Sequence, residues 1–401
     1  MLQAPLQTKS ARGICIAMSN PIVVGAGPLG LITALALNER FEKITLIGPE
    51  APTDGRTTAI LNEGLELLDS LGVWSKLAGK TAPLKTMRIV DGTKRLIRAP
   101  EARFECSELG VDCFGHNIKN GDLLDALHQT IAARETITWI KQSIVDASVR
   151  ADEASSLSLK DGSILKTSLV LAADGKNSLL REKAGIGARR WSYPQVALVM
   201  NLSHSRDHGF TSTEFHTENG PFTLVPLPGR QSSLVWVEKP ETARQILALP
   251  DGEIARRIAE KSHYLLGDIT LASTPMGYPL SGLIAHEFGR ASIALIGESA
   301  HVFPPIGAQG MNLRIRDVKA FLKCLERHPL DASGGPSALT AAYSKARRAD
   351  ISLRTGAVDT LNRSLLTGLL PVHLGRGAGL FAMNTLPFLR KFVMKQGLGA
   401  H

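Results

Sequence analysis

Short runs of consecutive apolar residues alternate with amphipathic stretches along the first half of the chain. That pattern predicts buried parallel strands separated by helices. A strand at 21–25 leads into a helix at 29–40, and a second strand follows at 43–47. Leu61, Leu65, Leu68 and Leu71 recur at helical spacing. The stretch 87–97 reads as a hairpin turning at Asp91-Gly92, and 149–159 and 163–170 as strands around Asp161-Gly162. From 193 to 237 the pattern is alternating and antiparallel. A mostly helical excursion follows at 241–266, and 278–280 returns the chain to the sheet. A last apolar run, 293–296, precedes a helix at 311–325 carrying Met311, Ile315, Val318 and Leu322. No repeat or low-complexity segment stands out, and 331–337, with Gly334-Gly335-Pro336, comes nearest to a linker. The expected fold class is α/β: a Rossmann-like dinucleotide-binding domain interleaved with an antiparallel sheet domain, plus C-terminal helices.

Chemistry gathers at three places. Gly25-Ala-Gly27-Pro-Leu-Gly30 sits between strand and helix. There Gly25 permits a tight turn, Gly27 admits a pyrophosphate and Gly30 lets helix pack on strand. The acid that usually ends the second strand is missing. Gly48 holds its place, and Glu50 is the nearest substitute for a ribose hydroxyl. The second place is an apolar run ending in Asp174-Gly175, followed by Ser178 and Arg181. An acid at the end of a strand suits a sugar hydroxyl, and an arginine on the following helix suits a phosphate. The third is Gly297-Glu298-Ser-Ala-His301-Val-Phe-Pro304-Pro305-Ile-Gly307-Ala-Gln-Gly310-Met311-Asn312, ending at Arg316-Asp317. Its prolines hold a loop extended, its glycines permit close approach, and a helix N-terminus offers free N–H groups.

The third stretch resembles the FAD-binding motif of class A flavoprotein monooxygenases, most of all the ubiquinone-biosynthesis hydroxylases. The resemblance extends over three signatures in order and most of the chain. It implies the p-hydroxybenzoate-hydroxylase-like arrangement. The FAD domain would be built from 19–90, 112–190 and 281–340, the substrate-binding sheet from 91–111 and 191–280, and a C-terminal helical region from 341–401. It implies FAD contacts at Gly25, Gly27, Gly30, Glu50, Arg56, Asn120, Asp174, Gly297, Glu298, Gly307, Gly310, Met311 and Asn312, with Asp122 as a helix cap after Asn120. Glu298 stands where the family has Asp. Pro304 and Pro305 would shape the reaction chamber, and His301 is the titratable side chain of that loop, either facing the flavin with a proton role or packed as a structural histidine. The implied chemistry is hydroxylation of an electron-rich ring by O2 through a flavin C4a-hydroperoxide, with NAD(P)H as transient reductant. A polyprenylated phenol of ubiquinone biosynthesis is the expected substrate. A soluble aromatic acid, or a non-catalytic flavin- or lipid-binding accessory role, stays open as an alternative.

Composition narrows the partners. The 401 residues carry a net charge of +9 with 5% aromatics. No basic block is interleaved with aromatics, so an anionic dinucleotide or membrane surface fits better than nucleic acid. The four cysteines are scattered and form no Cys-x-x-Cys pair, as expected of reduced thiols in a cytoplasmic protein. Cys106 and Cys113 have spacing alone in favour of a metal pair. Residues 1–18 read as a disordered extension, with Met18 as an alternative start. After Asp359 the chain has no acid, but it has Arg363, Arg376, Arg390, Lys391 and Lys395 among apolar residues. This tail is expected either to touch the inner membrane face, within a ubiquinone-biosynthesis complex, or to pack as a helix with a basic outer side.

Overall fold

The computed structural model describes residues 20–93, 100–150, 154–304 and 309–366, together with Arg390, Lys391 and Met394. The extension 1–18, Pro305, Gly307, Arg376 and Lys395 lie outside the described residues.

A six-stranded sheet forms the centre. Its order is Gly289–Arg290, Ile293–Leu295, Val170–Ala172, Ile22–Val24, Ile44–Ile47 and Ile137–Ile140. All pairs are parallel except the first. The strands carry aliphatic residues on both faces because helices cover both. Helix Pro28–Asn38 is apolar all round, and Leu29 to Leu37 are buried without a break. Such a helix belongs inside, and it packs between the sheet and helices Asn120–Ala132 and Gln309–Arg327. The buried stripe of Gln309–Arg327 runs through Leu313, Ile315, Val318, Phe321 and Leu325. Met311 and Leu322, predicted on that stripe, are only partly buried.

The second layer is a nine-stranded sheet. Its path is His301–Val302, Met276–Ala285, Ala188–His204, Gln231–Glu238, Gly220–Leu227, Thr211–Thr217, Thr86–Asp91 and Ala102–Glu105, with Ile269–Leu271 beside Ala188–His204. One face is apolar and covered by helices Pro240–Leu247 and Asp251–Lys261, which pack on Leu198, Met200, Phe222, Leu224, Leu234 and Trp236. Strand alternation then turns Val199, Asn201, Ser233, Val235, Thr223, Glu214 and His216 to the opposite face. A small sheet of Thr57–Leu61, Gly115–Lys119 and Thr81–Pro83 lies against that face. There Asn117 Nδ2 donates to Pro226 O (2.9 Å) and Thr57 Oγ1 to Ser233 Oγ (2.9 Å).

Several sequence expectations change. The predicted hairpin does not turn at Asp91-Gly92: Ile89 pairs with Ala102, so the return strand starts ten residues beyond Gly92. Asp91 instead makes a local turn, accepting from Thr93 N (3.0 Å). Thr86–Asp91 also belongs to the large sheet, so that sheet begins before residue 91. Leu61 ends a strand, and the helix runs from Asn62 to Ser70. Of the strand expected at 149–159 the described part is Ser155–Leu159, and its antiparallel partner Ile144–Ser148 lies before that range. Asp122 does not cap its helix and lies 3.8 Å from Lys80 Nζ. Met394 is buried among Leu61, Phe104, Cys106 and Phe114, and Arg390 grips Glu108 (Nε–Oε2 2.6 Å). At these positions the tail packs on the protein. Among the described residues no helix is long and apolar enough to cross a membrane.

Candidate active site

The Gly-rich turn is fixed by packing on two sides. A Cβ at Gly25 (φ 110°) would lie 2.2 Å from Ala173 O, and one at Gly30 would lie 1.7 Å from Gly25 O. Gly27 has open space around it and leads into a helix with Pro28 at its first position and no side-chain cap. Uncapped N–H groups above an open glycine suit a pyrophosphate. Gly48 explains its own missing acid: a Cβ there would lie 2.7 Å from Ala26 N, so close approach of the two loops excludes any side chain. Glu50 is exposed and held by Lys141, which lowers its pKa through the hydrogen bond and the charge.

Asp174 ends the neighbouring strand. Its Oδ2 accepts from Leu180 N (3.2 Å), while Oδ1 is buried with no hydrogen-bond partner. Burial raises its pKa. A buried carboxylate oxygen lacking a donor is costly unless a ligand supplies one. A sugar or ribityl hydroxyl is such a donor, so the residues present fit FAD. Arg181, predicted to meet a phosphate, is buried and donates to Ser299 O (2.7 Å) and Lys176 O (2.9 Å). It ties the Asp-Gly loop to the loop after Ile296 and has no face left for a ligand.

Arg56, Asn120 and Glu298 converge. Arg56 Nε donates to Asp54 Oδ2 (2.6 Å), and its guanidinium lies 5.2 Å from the Tyr278 ring centre. Asn120 Nδ2 reaches Asp54 Oδ1 (3.4 Å) and its Oδ1 accepts from Thr58 (2.7 Å). Burial opposes the charge of Arg56, but Asp54, Tyr278 and Glu298 together raise its pKa. Glu298 pairs with Arg314 (2.6 Å). Asn312 uses both ends of its side chain to staple its helix to Thr57–Leu61, accepting from Leu61 N (2.9 Å) and donating to Ala59 O (2.9 Å). Met311 is partly buried, and Gly310 has open space around it.

His301 does not face an open site. It is 1% exposed, and its Nε2 meets Asp317 Oδ2 at 2.7 Å. The same Asp317 accepts from Gly297 N (2.9 Å) and from Arg347 Nε (2.7 Å). This cluster anchors the start of the Pro-rich loop to both long C-terminal helices. Pro304, three residues beyond His301, is buried as well. Arg347, Asp54 and Tyr278 carried no sequence signal, since each sits in an ordinary helix, loop or strand pattern.

The sheet opposite these groups contributes an apolar wall of Tyr193, Ala197, Val199, Val235, Val237 and Leu280. Beside it lie Asn201, whose Nδ2 donates to Gly55 O (2.9 Å), and the pair Glu214–His216 (2.9 Å). Residues 19–353 match the FAD binding domain family. Ubiquinone hydroxylase UbiL of Rhodospirillum rubrum is 31% identical, over 98% of this chain and 93% of the relative. The 3-demethoxyubiquinol 3-hydroxylase of Escherichia coli is 28% identical, over 94% of this chain and 97% of the relative. In fold, the chain is similar to p-nitrophenol 4-monooxygenase PnpA of Pseudomonas putida (TM-score 0.76, 19% identity, 95% of this chain and 98% of that one). The chain therefore belongs to the FAD binding domain family and, within it, to the FAD-dependent monooxygenases of the ubiquinone-hydroxylase type.

Proposed function

We propose that the protein hydroxylates the ring of a polyprenylated phenol intermediate of ubiquinone biosynthesis, with NAD(P)H as transient reductant. The observation that carries the substrate choice is the face of the large sheet that lies opposite Arg56 and Asp54. It is aliphatic around Val199, Val235 and Val237, and the strands Thr211–Thr217, Gly220–Leu227 and Gln231–Glu238 carry Glu214 there but no lysine or arginine; Arg189 and Arg190 lie at the far start of Ala188–His204, beside Trp191. An aromatic acid would need a cation to receive its carboxylate. Arg56, on the opposite side, is taken by Asp54. A neutral phenol with an apolar substituent meets no such conflict.

FAD supplies the activation of O2 for transfer of one oxygen atom to the ring. The chain's own part is to bind and orient. Gly25, Gly27 and Gly30 would take the pyrophosphate on the helix N-terminus, and Asp174 and Glu298 would accept from sugar or ribityl hydroxyls. Arg56 and Asn120, fixed on Asp54, would border the ring system, while Gly310, Met311 and Asn312 would present backbone N–H groups to it. Pro304, with Pro305 and Gly307, would close the chamber against water. Glu50 would need to leave Lys141 to reach the ribose. The FAD domain would comprise 19–90, 112–190 and 281–340, with the large sheet over the substrate. Contact of the tail with a membrane or a biosynthetic complex rests on its sequence, Arg390 being engaged by Glu108.

The test is reductant consumption by the FAD-loaded protein with 2-prenylphenol and with 4-hydroxybenzoate. Product formation from the prenylphenol, at least about tenfold faster than from the acid, is expected. Preference for the acid would overturn the substrate assignment.

A further inference from the structure

One titratable pair on the face of the large sheet turned away from its covering helices lies outside the residues assigned to FAD. Glu214 and His216 lie two residues apart on Thr211–Thr217, so both side chains leave the same face of the strand. Phe215 between them packs into the opposite, helix-covered core. The side chains are 15% and 7% exposed, and His216 Nε2 lies 2.9 Å from Glu214 Oε1. Thr223, on the next strand, donates to the other carboxylate oxygen (3.3 Å). On the other side, Asp91 stands level with His216 in the register, and its Oδ1 receives Thr93. On this face the charged groups nearby are acids and the imidazole is the one base; Arg88, level with Thr213, leaves the other face of the sheet and pairs with Glu101.

The hydrogen bond sets the tautomer. A carboxylate only accepts, so Nε2 carries the proton and Nδ1 keeps its lone pair. Nδ1 makes no hydrogen bond among the described residues. A histidine held by a carboxylate at one nitrogen and open at the other is arranged as a base.

We propose that His216, oriented by Glu214, accepts the proton of the substrate's ring hydroxyl. This rests on the phenolic-substrate reading above. The O–H bond breaks, its electron pair stays on the ring oxygen, and the proton forms an N–H bond at Nδ1. Glu214 stays ionised beside the resulting imidazolium. The phenolate feeds electron density to the ring carbons ortho and para to it, where an electrophilic oxygen adds.

The test uses 4-nitrophenol, whose anion is coloured, bound to the FAD-loaded, oxidised protein without reductant. Its ionisation is followed by difference absorbance from about pH 5 to about pH 9, the range in which an imidazole titrates. In the wild type the bound phenol ionises at lower pH than the free one. His216→Gln removes that shift while leaving FAD occupancy unchanged, and lowers turnover of 2-prenylphenol about 100-fold. Glu214→Gln, measured in parallel, lowers both readouts in the same direction and carries the test should His216→Gln fail to fold. Ionisation of the bound nitrophenol that is the same in the wild type and either variant overturns the proposal. Failure of the wild type to bind or turn over any phenol would instead sink the substrate reading.

Discussion

Replacing Asp317 by alanine is the sharpest probe of how the site is held. The carboxylate is fully buried, and its partners His301 and Arg347 are 1% and 4% exposed, so solvent screening gives no discount. Three contacts are lost together: Oδ2 with His301 Nε2 (2.7 Å), Oδ1 with Arg347 Nε (2.7 Å) and Oδ2 with Gly297 N (2.9 Å). Breaking a buried ion pair by removing one partner costs about 3–5 kcal/mol, and an orphaned buried N–H adds about 1–3 kcal/mol. These losses overlap, so about 5 kcal/mol is expected. Unfolding entropy of about 2.1 cal/mol/K per residue gives about 0.8 kcal/mol/K for 401 residues, and hence a fall in Tm of about 6 °C. Acid supplies a second check. Burial raises the pKa of Asp317, but His301 and Arg347 outweigh it, so the folded-state pKa is lowered from 3.8. The stabilisation is then full above that value and is lost as pH falls through the folded pKa. The gap between wild type and Asp317→Ala, read by calorimetry, should therefore be constant from pH 7 to about pH 5 and close below about pH 4. A variant melting within about 1 °C of wild type at pH 7 would refute the anchoring role.

Other outcomes follow from particular distances. Gly30→Ala places a Cβ against Gly25 O and should abolish FAD retention on gel filtration, whereas Gly175→Ala, with open space around it but φ 80°, should only weaken it. Asp174 has a raised pKa without ligand, and a hydroxyl donor would lower it, so FAD binding should release protons between the two values and strengthen as pH rises. Dye-monitored proton release that is absent, or equal in Asp174→Asn, would contradict this. Arg390→Ala removes the pair with Glu108 and the contact 4.6 Å above Phe104, and should destabilise by about 1 kcal/mol in urea unfolding, with weak salt dependence.

The Gly25–Gly30 turn and the Asp174 strand were legible because each couples a local steric demand to an apolar run. A glycine whose added Cβ would lie 2.2 Å from a backbone oxygen leaves the same mark wherever it occurs. The roles of Arg181 and His301 were not legible. Each is decided by partners more than ten residues away, Ser299 for one and Asp317 for the other, and chemistry alone suits them equally to a ligand. Asp91-Gly92 misled because a dipeptide suited to a tight turn also ends a strand before a longer connection. Glu214 and His216 passed unnoticed because alternation marks a face without saying what lies opposite it.

The proposed reaction transfers one atom of O2 to a phenolic ring. The direct measurement is mass spectrometry of the product formed from 2-prenylphenol by the FAD-loaded protein and NADPH under isotopically heavy oxygen. A product carrying one heavy oxygen on the ring and none from water is expected. Reductant consumption with hydrogen peroxide as the sole oxygen product, or a ring oxygen taken from water, would contradict it.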